Sequence, residues 1–86
     1  MHAVVVRVHV EDVEASRPRL ENEVVPRVAA APGFVAGYWL APVDGRGLSV
    51  SVFESEEAAR TAAERIQPPP DVTIESVEVR EVVASA

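Results

Sequence analysis

Clusters of proline and glycine restrict the folds that are open to this chain. They lie at Pro32-Gly33, at 42–47 and at 68–70. Proline lacks a backbone donor and glycine adopts turn conformations freely, so such clusters end helices and strands. The four stretches between them are long enough for only one or two elements each. With 86 residues in all, the chain is expected to form a single domain, residues 1–86.

The first stretch predicts a strand followed by a helix. Residues 3–10 are mostly valine, and β-branched side chains favour strands. Asp12 is a typical N-cap, and apolar residues recur with helical spacing from Val13 to about Ala31. Pro26 lies inside this pattern and predicts a kink or a lost backbone hydrogen bond there.

The remaining stretches predict a hairpin, a second helix and a last strand. Residues 34–41 and 48–53 read as strands, and the Asp44-Gly45 dipeptide between them is a strong hairpin signal. The last strand covers 71–83, with a bulge near Glu75 where its alternation slips. The order is therefore β-α-β-β-α-β. This order is typical of an α+β, ferredoxin-like sandwich, with both helices on one face of an antiparallel sheet.

Composition excludes several classes of function. The chain has no cysteine, which excludes disulfide scaffolds, zinc ribbons and thiol catalysis. All eight basic residues are arginines without a run, and the formal net charge is −6, so we expect no nucleic-acid partner. No apolar stretch reaches the ~18 residues of a membrane span. The start of the chain lacks the basic region of a signal peptide, so we expect no membrane association and a cytoplasmic location.

A sheet with helices on one side leaves its other face uncovered. Alternation predicts the following residues there: Val5, Arg7, His9, Val35, Gly37, Trp39, Ser49, Ser51 and Phe53. Tyr38 alternates with Trp39 and is expected to face the helices, as Phe34 does. The uncovered face is too apolar to remain exposed to water, so we expect a second copy of the chain, a ligand or both to cover it.

Two motifs on this framework resemble a known family. They are Pro32-Gly33-Phe34-Val35-Ala36-Gly37-Tyr38-Trp39 and, after the hairpin, Val52-Phe53-Glu54-Ser55-Glu56-Glu57-Ala58-Ala59. They resemble the antibiotic biosynthesis monooxygenase (ABM)-like family of the dimeric α+β barrel superfamily, and the likeness in element order covers nearly the whole chain. It implies a homodimer whose two sheets pack face to face into a barrel. It also implies a ligand cavity in each protomer or within the barrel.

The resemblance also implies two kinds of chemistry. Some relatives oxidise anthrone- or quinol-like polycyclic aromatics with O₂ and no cofactor, and others degrade haem. Haem degradation typically uses an asparagine on the first strand, a histidine on a helix and a tryptophan. Here the only asparagine is Asn22, in the first predicted helix, and neither His2 nor His9 falls in a helix. The open alternatives are a cofactor-free oxygenase of small aromatic substrates, a non-catalytic ligand-binding protein and a structural dimer.

Five residues are candidates for a site. His9 shares a strand face with Arg7, so a neutral imidazole could take a phenolic or anthrone proton while Arg7 holds the oxyanion. Trp39, Tyr38 and Phe53 are the surfaces on which a planar substrate could stack. Dimer packing is the alternative for Trp39, and inter-subunit hydrogen bonds or salt bridges are the alternatives for His9 and Arg7. We predict no cofactor and no metal, because two histidines without a paired carboxylate are a weak ligand set.

Overall fold

Four strands and three helices make up the computed structural model, which describes all 86 residues. The strands are β1 (His2–Val10), β2 (Phe34–Val43), β3 (Arg46–Phe53) and β4 (Val72–Glu81). The helices are α1 (Val13–Arg19), α2 (Val25–Ala29) and α3 (Glu56–Glu64), with a π-helical turn at Leu20–Val24 between the first two. No helix has the length and apolar character needed to cross a membrane.

The strands form one antiparallel sheet in the order β2-β3-β1-β4. Val4 of β1 and Phe53 of β3 pack with Ala59 of α3, so the helices cover one face of the sheet. The predicted ferredoxin-like α+β fold is confirmed. The core is small, since only 9 of 86 residues are buried. We call the side of the sheet away from the helices the open face.

The first helical stretch is interrupted where proline was predicted to disturb it. It begins at Asp12, whose side chain accepts the N-cap hydrogen bond at 3.1 Å. At Leu20–Val24 the backbone hydrogen bonds join residues five apart instead of four, so that the N–H of Val25 donates to the carbonyl of Leu20. Pro26 follows directly, has no N–H and needs room for its ring against the preceding turn. The disturbance predicted at Pro26 is confirmed and takes the form of a π-helical turn.

The β2–β3 hairpin is tighter than the sequence predicts. Its strands extend to Val43 and from Arg46, so only Asp44 and Gly45 remain in the turn. Their φ angles are 52° and 78°. Positive φ at both positions defines the type I′ turn, for which Asp-Gly is a preferred pair. The predicted hairpin signal is thus confirmed.

Two strands carry bulges, and the sequence predicts only one of them. The register of β4 on β1 moves from Ser76 opposite Arg7 to Ile74 opposite Val8, which confirms the bulge near Glu75. The second bulge is in β2, where the pairing on β3 passes from Phe34 to Ala36 and leaves out the residue between them. One extra residue moves the side chains that follow it, from Ala36 to Leu40, to the opposite face. A further register shift lies between Leu40 and Val43, next to the turn.

The bulge in β2 reverses the predicted orientations of Trp39 and Tyr38. Trp39 pairs with Ser49, which in turn pairs with the core residue Val6, so Trp39 faces the helices. Tyr38 faces away and is 64% exposed. The prediction for both residues was wrong. The same register places on the helix side four more of the predicted open-face residues of these two strands: Gly37, Ser49, Ser51 and Phe53. Val35 is the residue that the pairing leaves out.

Phe53 lies at the centre of the core, so its predicted position on the open face was also wrong. No part of it is exposed to solvent. Its ring meets Phe34 edge to face, with 5.9 Å between the centroids, and it packs beside Val4 and Ala59. Edge-to-face pairs of this kind add to the gain from apolar burial. Phe53 therefore holds α3 against the sheet.

Candidate functional site

A cavity of about 990 Å³ opens between the sheet and the helices. The first helical stretch presents Leu20, Val24 and Val28 to it, and β1 presents Val6 and Val8. These are small or medium apolar side chains, and they do not fill the space between the two layers. The cavity lies at the upper end of the ~300–1,000 Å³ range of small-molecule sites, and its lining is mostly apolar as in such sites.

Trp39 forms an aromatic part of the cavity wall. Its ring folds back along β2 over Gly37, where an added Cβ would lie 2.9 Å from the indole. The same Cβ would lie 3.3 Å from the ring of Phe34. A larger residue at position 37 would require the indole to shift. The wall is therefore a flat aromatic surface, suited to stacking against a planar ligand.

Charged side chains interrupt the apolar lining. They are Arg17, Glu21, Arg27, Glu57 and Arg65. The guanidinium of Arg27 donates to the carbonyl of Gln67 at 3.4 Å and so connects α2 to the segment after α3. Sequence reasoning did not single out these residues. No histidine, cysteine, methionine or tyrosine lines the cavity.

His9 and Arg7 lie on the open face, away from the cavity. Both side chains are exposed. Arg7 lies 4.0 Å from Glu78 and borders a separate hollow of about 300 Å³. His9 lies beside the hairpin turn, where a Cβ at Gly45 would be 3.1 Å from its ring. The sheet separates these two residues from Trp39, so the three do not share one site within a protomer.

His2 is not a solvated terminal residue. It is the first residue of β1, and its side chain is only 19% exposed. Its Nε2 lies 3.4 Å from a carboxylate oxygen of Glu56 at the start of α3, and its Nδ1 is buried without a hydrogen-bond partner. His2 connects β1 to α3 and does not line the cavity. No group of three or more acidic or histidine side chains is arranged to hold a metal ion.

A polar cluster beside the cavity joins α1 to the start of β4. The hydroxyl of Ser16 donates to the carboxylate of Asp71, and Arg19 lies 3.7 Å from the other carboxylate oxygen. The hydrogen bond from Ser16, helped by the charge of Arg19, holds the pKa of Asp71 below its ordinary value. A carboxylate with a lowered pKa is a poor proton acceptor. The cluster is therefore a structural connection.

Replacing Ser16 should cost stability in a pH-dependent way. Because the pKa of Asp71 is lower in the folded chain, its ionised form stabilises the fold above the unfolded value of ~3.9. That stability is lost as the pH falls through the folded pKa. We expect Ser16→Ala to lower the Tm at pH 7 and to have a shrinking effect toward acid pH, measured by circular dichroism. Ser49→Ala is the control, and a Ser16→Ala effect that does not change with pH would contradict the assignment.

Comparison with known proteins finds structural neighbours. One is a point mutant of MhuD with two manganese protoporphyrin IX molecules bound per active site. It aligns with this chain at a TM-score of 0.69 and 25% sequence identity, and the alignment covers 100% of this chain and 98% of that one. The chain has the fold of MhuD. The heme-degrader MhuD from Mycobacterium tuberculosis, with two hemes bound in its active site, has a TM-score of 0.53 and 29% identity over 96% of this chain and 98% of that one. No family model and no curated protein matches the chain. The neighbours are haem-degrading proteins of the ABM-like ferredoxin-fold superfamily.

The cavity residues do not fit a coordinated haem iron. Haem iron in proteins is held by histidine, cysteine, methionine or tyrosine. None of these lines the cavity. Tyr38 and His9 lie on the open face, and His2 is engaged beside α3. The apolar walls and the indole of Trp39 fit the flat ring of an aromatic molecule, but the chain supplies no axial ligand.

Proposed function

We propose that this chain binds a flat, mostly apolar aromatic molecule in the cavity between the sheet and its helices. The observation that carries the proposal is the ring of Trp39 in the wall of a mostly apolar cavity of about 990 Å³. An aromatic ligand there gains both apolar burial and stacking on the indole. The MhuD structures, which hold porphyrins, support a planar ligand class and membership in the ABM-like family.

Cofactor-free oxidation of an aromatic substrate stays a prediction. A general base must lie within hydrogen-bond reach of the proton that it removes. His9 and Arg7 do not line the cavity, so they would act only on a substrate bound at the open face. If the chain consumes O₂ with an anthrone or a naphthoquinol, His9→Ala together with Arg7→Ala separates the two locations. Loss of turnover would place the reaction at the open face, and unchanged turnover would exclude these residues as base and oxyanion partner.

The single tryptophan makes ligand binding directly measurable. Because the chain has one tryptophan, its tryptophan emission comes from the cavity wall alone. We expect saturable quenching of Trp39 emission by at least one compound in a panel of anthrones, naphthoquinols, flavin and haem. An emission spectrum that does not respond to any of these planar aromatics would contradict the proposal.

Two variants locate the ligand. Gly37→Ala places a Cβ against the indole and should displace the ring, weakening binding by about tenfold. His9→Ala alters an exposed residue of the open face and should leave the quenching curve unchanged. If His9→Ala weakens binding and Gly37→Ala does not, the ligand is bound at the open face and the cavity assignment is wrong.

We propose further that a second copy of the chain covers the open face. Its apolar side chains are Val5, Ala36, Tyr38, Leu40, Leu48, Val50 and Val52. Leu40 is 52% exposed, and Tyr38 is more exposed still. An apolar patch of this extent marks an interaction surface, and a small domain with few buried residues gains stability by associating. Light scattering should give twice the 9.2 kDa mass of one chain.

A further inference from the structure

We infer that the cavity ligand carries a carboxylate on its aromatic body and that Arg27 and Arg65 bind this carboxylate. The inference rests on the proposed function, because it specifies the ligand of the same cavity. It comes from the way in which the eight arginines of the chain are partnered.

Four of the five arginines outside the cavity are ion-paired, Arg46 being the exception, and the three that line it are not. The ion-paired arginines are Arg7, Arg19, Arg60 and Arg80. None of them lines the cavity. Arg17, Arg27 and Arg65 do line it, and none has a carboxylate within ion-pair distance. All three are exposed, so their guanidinium donors are accessible to an anion that enters the cavity.

The charge of the cavity is opposite to that of the chain. The formal net charge is −6, yet the lining contains three arginines against only two carboxylates, Glu21 and Glu57. Charges around a concave, low-dielectric surface focus their field into it. The lining therefore carries a surplus of one positive charge, which favours an anionic ligand there.

Arg27 and Arg65 are the two arginines best placed to act together. The Nη1 of Arg27 donates to the carbonyl of Gln67, which lies two residues beyond Arg65 in the chain. This contact places the guanidinium of Arg27 beside the segment that follows α3. A guanidinium has five N–H donors, so most of those of Arg27 remain available for a carboxylate. Arginine binds carboxylates through two parallel hydrogen bonds, which adds orientation to attraction.

Stacking on Trp39 and a salt bridge to arginine together define the ligand as an aromatic carboxylate. The probes are anthracene carboxylate and its neutral carboxamide, which share one shape and differ in charge. At low salt we expect the carboxylate to quench Trp39 with a Kd about tenfold lower than that of the carboxamide. The advantage should shrink as salt is added, because the cavity is open to solvent and salt screens the attraction.

Substitution of the arginines tests the assignment. In the double variant Arg27→Gln and Arg65→Gln, the advantage of the carboxylate should disappear while the carboxamide binds as before. Glutamine keeps a donor for the carbonyl of Gln67 and removes the charge. Arg60→Gln is the matched control, because Arg60 lies in α3 shortly before Arg65, pairs with Glu56 at 3.4 Å and does not line the cavity.

The outcomes separate this inference from the proposed function. Equal binding of both probes would overturn the inference and leave the aromatic site in place. Failure of both probes to bind would overturn the site as well. A carboxylate advantage that survives in the double variant, or that is lost equally in Arg60→Gln, would overturn the assignment to Arg27 and Arg65. Loss confined to the double variant supports it.

Discussion

Phe53→Ala is expected to abolish cooperative folding of this chain. Removing a fully buried phenylalanine costs about 3–5 kcal/mol, and small domains have only about 5 kcal/mol or slightly more to lose. Here the ring is completely buried, meets Phe34 edge to face and packs against Val4. Few other side chains are buried, so the neighbours cannot compensate for the cavity left behind. Thermal unfolding followed by circular dichroism should show a broad, weak transition or none.

Phe53→Leu is the matched variant for this result. Leucine keeps much of the apolar volume and loses the aromatic pair with Phe34, so we expect a cost of about 1–2 kcal/mol. The chain should then unfold cooperatively at a lower Tm. If Phe53→Ala has a Tm within a few degrees of the unchanged chain, the ring does not organise the core, and the open-face position that the sequence predicts regains support.

Phe53 also shows where hydrophobic alternation stops being informative. In β3, Leu48, Val50 and Val52 alternate with two serines, and the longer apolar row suggested the side that faces the helices. The structure places that row on the open face and the serines toward the cavity. Both choices satisfy the pattern, because this sheet has one apolar face against the helices and another that is left uncovered.

The two bulges differ in how visible they are in the sequence. This explains why the bulge near Glu75 was predicted and the reversed orientation of Trp39 was not. In β4 the apolar residues change phase between Ile74 and Val77, so the extra residue is visible in the sequence. In β2 the residues around the bulge are small or apolar on both faces, and an extra residue leaves no trace in their pattern. A shift of one residue then moves Trp39 from one face to the other.

Local signals were sufficient for the element order and insufficient for the candidate site. Asp12 and the Asp44-Gly45 turn act through contacts within a few residues, and the structure confirms both of them. The cavity depends instead on the distance between the first helical stretch and the sheet. Its lining arginines come from separate elements, so no spacing in the sequence brings Arg27 and Arg65 together.

Val50→Asp is expected to convert the proposed dimer into a monomer. Val50 lies in the middle of the open face, in a cross-strand row with Val5 and Tyr38. In a two-fold dimer the same surface meets itself, so one substitution introduces two carboxylates into a single interface. Burying them without partners costs several kcal/mol, which raises the dimer Kd by about a hundredfold or more.

Light scattering and far-UV circular dichroism together test this result. Val50→Asp should scatter with the mass of one chain, 9.2 kDa, and keep its far-UV spectrum, because Val50 lies outside the core. Thr73→Asp is the matched control, since Thr73 pairs with His9 on the same face but is exposed on the edge strand β4. It should remain dimeric. An unsubstituted chain that is monomeric at micromolar concentration, or a dimeric Val50→Asp variant, would show that the open face is not the interface.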